Sequence, residues 1–182
     1  MKQLSYAIPK ELSGEALKQL RLSLNLTQRE FAELLNTSKP TIERWESGKK
    51  PIHGPVTVLA ALFVSNPLLA QKLMIPEKKL PIRLWYMYKD YVCTIIDVDV
   101  TKRDVRITNY TDNRQFRAFG NIESPDFEQY EAFLASRCFP AERDKMKLIL
   151  KELDLPFYDP FMIISQTEGR MAEDDFWIRI EK

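Results

Sequence analysis

Residues 26–49 run LTQREFAELLNTSKPTIERWESGK. Thr27 followed three positions later by Glu30 is a capping box, so a helix begins at Gln28. Gln28 then stands exposed in the first turn, among unpaired backbone N–H groups at the positive end of the helix dipole, where a phosphate is the natural partner. Phe31, Ala32 and Leu35 share an inward face, and small Ala32 lets a second helix cross closely. Asn36-Thr37 makes a tight turn, because asparagine tolerates the left-handed conformation. Thr37 or Ser38 caps the next helix, and Pro40 is accommodated in that helix's first turn. Ile42 and Trp45 face the core, which leaves Lys39, Pro40, Thr41, Glu43 and Arg44 on the outer side. Such a helix fits a major groove roughly 12 Å wide, and Arg44 is long enough for a bidentate contact with guanine. Gly48 ends the helix, and Lys49 and Lys50 follow where a backbone would pass.

Outward from this stretch the helical spacing continues. Ala16, Leu17, Leu20 and Leu24 form one stripe; Val58, Leu59, Leu62 and Phe63 another; Leu68, Leu69 and Leu73 a short last one. Breaks at Asn25, Asn36-Thr37, Gly48, Gly54-Pro55 and Asn66-Pro67 separate about five short helices. The excess apolar residues of Val58–Phe63 also suit a dimer seam.

The residues Thr27-Gln28, Glu30, Phe31-Ala32, Leu35, Ser38, Thr41-Ile42, Trp45-Glu46 and Gly48-Lys49 resemble the helix-turn-helix of the XRE family, the Cro and phage-repressor type. The resemblance covers roughly residues 14–73, and it implies binding to double-stranded DNA. It places base contacts on Lys39, Pro40, Thr41 and Arg44, with Ser38 beside them, and a phosphate clamp on Gln28 and the Gly48-Lys49 turn. Asn36 stands where the family commonly has a turn glycine. Pro40 is also unusual there, since it offers an apolar contact in place of a donor. The following KKPIHGPVTVLAALFVSNPLLAQKL, residues 49–73, resembles the tail of antitoxin-type members, which implies a homodimer that represses its own operon.

Charge is divided in the same place. Residues 1–79 carry 12 Lys/Arg against 7 Asp/Glu, while residues 80–182 carry 15 against 19, so the overall +1 is a basic front half joined to an acidic back half. The chain of 182 residues is 45% hydrophobic, and no apolar run approaches the 18 residues of a membrane span. Its opening residues have no apolar core, so no secretory signal is expected. Cys93 and Cys138 are then half-buried reduced thiols of a cytoplasmic protein. His53 and two distant cysteines give no zinc spacing, and neither a metal nor a cofactor is expected.

Beyond IPEKKLP, residues 75–81, the pattern changes. Residues 83–110 are rich in β-branched and aromatic side chains and break at Lys89-Asp90 and Thr101–Asp104, so they read as two or three antiparallel strands. Alternation of Ile95, Asp97 and Asp99 with Ile96, Val98 and Val100 predicts one wet face and one core face. Gln115–Phe119 is open to a further strand. Phe127, Tyr130, Phe133 and Leu134 suit one helix, Met146, Ile149, Leu150 and Leu153 a second, and Pro160–Gln166 a short third. Phe176, Ile178 and Ile180 suit a closing strand.

The expected fold is therefore multidomain: an all-α, five-helix helix-turn-helix domain over 1–75, a linker over 76–81, and an α+β domain of hairpins and two or three helices over 82–182. The cluster of Arg137, Cys138, Arg143 and Asp144 with Glu168, Arg170, Glu173, Asp174 and Asp175 could serve acid–base or phosphate chemistry. Yet this half has no histidine, no phosphate loop and no base for Cys138, so a charged, salt-bridged face is the expectation and no enzyme is foreseen. Its Arg-Cys-Phe-Pro, Tyr-Asp-Pro and Gly-Arg-Met-Ala segments resemble small proteins associated with HipA-type kinase toxins. That implies a toxin-binding domain, with Trp85, Tyr86, Tyr88 and Trp177 as candidate interface anchors, although most of the four are expected in the core. The expected function is a DNA-binding repressor, the antitoxin of a toxin–antitoxin pair. A repressor with a small-molecule sensor and an enzyme with a DNA-targeting front end are the alternatives.

Overall fold

The computed structural model describes residues 5–181, and the chain divides into two compact units, Met1–Ile75 and Pro76–Lys182. Segment 76–81 belongs to the second unit, where Lys78 Nζ donates to the Glu181 carbonyl at 3.2 Å.

The first unit has five helices: α1 (Gly14–Ser23), α2 (Gln28–Leu34), α3 (Lys39–Ser47), α4 (Pro55–Ser65) and α5 (Leu68–Leu73). Ser13, Thr27 and Ser38 cap the first three, each hydroxyl accepting from a backbone N–H in the first turn. The capping box of Thr27 and Glu30 is complete in both directions. Leu17, Phe31, Ile42, Val56, Ala60 and Phe63 close the core, each contributing roughly 1.5–3 kcal/mol by leaving water, less for the alanine. α5 departs from its expected stripe: Ala70 is buried, while Leu68 and Leu73 are 60% and 52% exposed. Six residues are too few to turn two leucines inward once Ala70 and Leu69 hold the contact.

The second unit is α+β. Strands β1 (Ile82–Tyr88), β2 (Tyr91–Asp99), β3 (Asp104–Asn109) and β4 (Phe176–Glu181) form one antiparallel sheet in the order β3-β2-β1-β4. Helices α6 (Phe127–Ser136), α7 (Met146–Glu152) and α8 (Pro160–Thr167) lie between β3 and β4 in the chain. Leu84, Ile96, Val98, Tyr130, Ile163, Ile164 and Ile178 join α6 and α8 to one sheet face. Tyr86 stacks on Phe176 there at 5.0 Å between ring centroids and meets Phe133 edge-on at 5.2 Å.

Three expectations for this unit need correction. The predicted wet face of β2 is buried, with Asp97 and Asp99 at 7% and 6% exposure. Asp97 takes a bidentate pair from Arg83 directly across the strand, at 2.6 and 2.7 Å, and Asp99 caps the Thr101 and Lys102 amides. Val100, expected in the core, is 52% exposed because the strand has already turned. Trp85 and Tyr86 are buried, as expected for most of the four aromatic candidates; Trp85 lies under the Arg179 guanidinium at 4.4 Å and donates to Glu181 at 3.0 Å. Segment 115–119 is not a strand: Arg114–Phe116 forms a 3-10 turn capped by Asn113. A β-bulge at Cys93 also shifts the β1–β2 register between Tyr86 and Met87, and the Cys93 carbonyl accepts from Tyr110 N.

Candidate nucleic-acid interface

α2, the turn after it and α3 present the proposed contacts. Asn36 takes φ +49°, and the Thr37 amide bonds back to the Ala32 carbonyl at 2.8 Å, closing the tight turn between the helices. Ala32 is 3% exposed at this junction. Ser38, not Thr37, caps α3; its hydroxyl also lies 2.9 Å from that of Thr41. Pro40 occupies the first turn, where its missing N–H leaves no gap.

The exposed residues of α3 are Lys39, Pro40, Glu43, Arg44 and Ser47, with Thr41 half-buried and Ile42 sealed in the core. Lys39 Nζ sits 3.1 Å from Glu43 Oε1, one helical turn along that outer surface. Arg44, Lys49 and Lys50 are exposed and stand in no ion pair among the described residues. Gly48 is required by space: a Cβ there would come within 2.7 Å of the Arg44 carbonyl.

Gln28 is half-buried, not free in the first turn as its sequence position implies. Its Nε2 donates to Glu46 Oε2 at 2.9 Å. Glu46 also accepts from Arg21 through both oxygens, at 2.6 and 3.0 Å, and Arg21 donates to the Leu26 carbonyl at 2.9 Å. One carboxylate thus joins α1, α2 and α3. Burial would raise the Glu46 carboxyl, but the hydrogen bonds from Arg21 and Gln28 outweigh it and hold the group below its ordinary range. Gly14 completes the junction, since a Cβ at that point would meet the Trp45 carbonyl at 2.1 Å. Sequence reasoning missed this network. The available signal was Arg21, a charge beside the inward Leu17, Leu20 and Leu24.

The acid–base cluster of the back half is scattered over different roles. Arg137 is 7% exposed and donates to Asp174 at 2.7 and 3.0 Å and to the Gly169 and Phe176 carbonyls, tying the end of α6 to the approach to β4. Cys138 is buried, its thiol donates to the Pro160 carbonyl at 3.6 Å, and burial pushes its pKa up to about 11. A group so raised is a neutral thiol near pH 7. Arg170 pairs with Glu168 at 2.7 Å and covers Trp177, while Arg143 and Asp144 are exposed.

Two capped helices joined by an asparagine turn, the second presenting a polar outer face, form a helix-turn-helix within the first unit. In agreement, residues 17–55 match the family model described as Helix-turn-helix, a match that points to a DNA-binding regulator. No curated protein matches the chain. Among the described residues no helix is long and apolar enough to cross a membrane.

Proposed function

We propose that this chain is a sequence-specific transcriptional repressor that grips double-stranded DNA with α3. The observation that carries the reading is the outer face of α3. Lys39, Pro40, Thr41 and Arg44 lie on a helix fixed at its start by the Ser38 cap and near its end by Glu46. Arg44 reads a guanine through its fork of donors; Lys39 reaches a base edge or phosphate, and Thr41 and Pro40 offer contact to a thymine methyl. Ser38, Gln28 and Lys49 bound this face and set the register on the phosphates. The repressor acts as a homodimer, supported by the exposed apolar side chains Val58, Leu62 and Val64 on α4. The experiment is selection of bound duplexes from a random pool by the full chain. A two-fold symmetric motif is the expected result, and enrichment of no motif would refute the proposal.

For the second unit, the antitoxin role with a bound toxin rests on the resemblance of residues 49–73 and of the later segments. A second reading, a small-molecule sensor, is favoured by a groove of about 590 Å³ beside α6 and the start of α8. That volume falls in the range of small-molecule sites. A soluble, cytoplasmic setting fits either role.

A further inference from the structure

The exposed side of α3 carries an anion, Glu43, among Lys39, Pro40, Arg44 and Ser47. A carboxylate on a face that meets DNA is repelled by the phosphates, so it weakens binding unless a base donor meets it. Glu43 is not isolated there. Lys39 Nζ lies 3.1 Å from Glu43 Oε1, and the two side chains are 55% and 46% exposed. With the cation first and the anion one turn later, the pair has the weaker order for helix stability and adds little to the fold. What it does provide is a donor and an acceptor side by side, both open to a partner.

A C·G base pair offers the matching arrangement in the major groove. Cytosine N4 and guanine O6 are hydrogen-bonded to each other, roughly 2.9 Å apart, and each keeps a second hydrogen-bonding site open to the groove. An A·T pair has the same amino–carbonyl pairing, but the acceptor N7 lies beside the adenine amino group and repels a carboxylate. Thymine also gives an ammonium only O4, whereas guanine gives O6 and N7. The pair on α3 therefore fits C·G better. It fits in one orientation, because Lys39 stands at the start of the helix and Glu43 one turn further on.

We propose that Lys39 and Glu43 read one C·G base pair as a unit, Glu43 accepting from cytosine N4 and Lys39 donating to guanine O6. Glu43 is then a specificity-determining residue, and its ion pair with Lys39 holds the two groups at the spacing of the base edges before DNA arrives. The inference rests on the reading of α3 as the DNA-gripping helix and assigns a base pair to two of its side chains. Arg44 takes its guanine from a different base pair.

The test is selection of duplexes from a random pool by the full chain, wild type, Glu43→Gln and Glu43→Ala, followed by affinity titrations. The wild type is expected to select a C·G position in each half-site, where replacement by T·A weakens binding about tenfold. That position is not the one that relaxes in Arg44→Ala. In Glu43→Gln the preference should move from cytosine to adenine, because the amide offers an acceptor to N6 and a donor to N7. In Glu43→Ala the preference should disappear while binding to unselected duplexes strengthens. Its slope of log affinity against log salt should steepen by up to about one unit, since Lys39 is released to a phosphate. Cytosine preference retained in either variant, or a wild-type motif in which neither variant alters a C·G position, would overturn the proposal and leave the DNA-binding reading intact. Equal weakening of binding to all duplexes in Glu43→Ala would overturn it too. A wild-type chain that selects no motif would refute the reading of α3 and this inference with it.

Discussion

Gln28 and Glu46 are joined by a 2.9 Å hydrogen bond, and the acceptor oxygen is one that Arg21 also reaches, at 3.0 Å. The side chain assigned by position to a phosphate is therefore held in place before any DNA arrives. Glu46→Gln should lower stability by about 2 kcal/mol, because it leaves the Arg21 cation buried without its counter-charge. The folded-state pKa of Glu46 lies below its ordinary 4.5. Its contribution is thus complete above that value and is lost as pH falls through the lower folded one. Denaturant melts at pH 7 and at successively lower pH should show the gap between wild type and variant closing on acidification. A constant gap would contradict this assignment.

Arg137 is the equivalent staple of the second unit, with five donor contacts to Asp174, Gly169 and Phe176. Arg137→Met should destabilise that unit by about 3 kcal/mol, since the two carbonyls and Asp174 lose their donor together. Thermal unfolding measures it. A change of a few tenths of a kcal/mol would show that water replaces the guanidinium freely.

Lys49 follows the end of α3, exposed and without an ion pair among the described residues. Lys49→Ala should weaken binding to all duplexes similarly and reduce the slope of log affinity against log salt by about one unit. Titrations at several salt concentrations decide this, and an unchanged slope would remove Lys49 from the phosphate contacts.

Leu62 is 49% exposed on α4, flanked by Val58 at 40%. On the proposed homodimer, Leu62→Glu should convert a dimer to a monomer in sedimentation velocity while leaving the unfolding temperature near wild type, because little core is lost. An unchanged sedimentation coefficient would contradict a dimer seam on α4.

The N-terminal fold was legible because its signals are local. Caps, an asparagine turn and 3.6-residue spacing lie within a few positions of one another, and Thr27, Glu30, Asn36 and Ile42 each behave as those rules require. Two long-range effects were not legible there. The Arg21–Glu46 pair spans 25 positions, and α5 turns Leu68 and Leu73 outward because Leu69 and Ala70 take the inward places. In the second unit the strands were readable and their faces were not. Alternation around Asp97 implied water, yet Arg83 sits directly opposite in register and the pair buries itself. The bulge at Cys93 leaves no mark in hydropathy, because both neighbours are apolar or β-branched. Of the candidate site, Lys39, Thr41 and Arg44 followed from helix geometry, whereas the Lys39–Glu43 pair and the tethering of Gln28 needed coordinates.

The claim that α3 reads DNA is tested most directly by Arg44→Ala on the duplex selected by the wild-type chain. Footprinting and affinity titration should show two half-sites about 34 Å apart or a multiple of it, with the variant binding about 1–3 kcal/mol more weakly. Its preference should relax at a single base position in each half-site. Unchanged affinity and unchanged base preference in the variant would contradict the account.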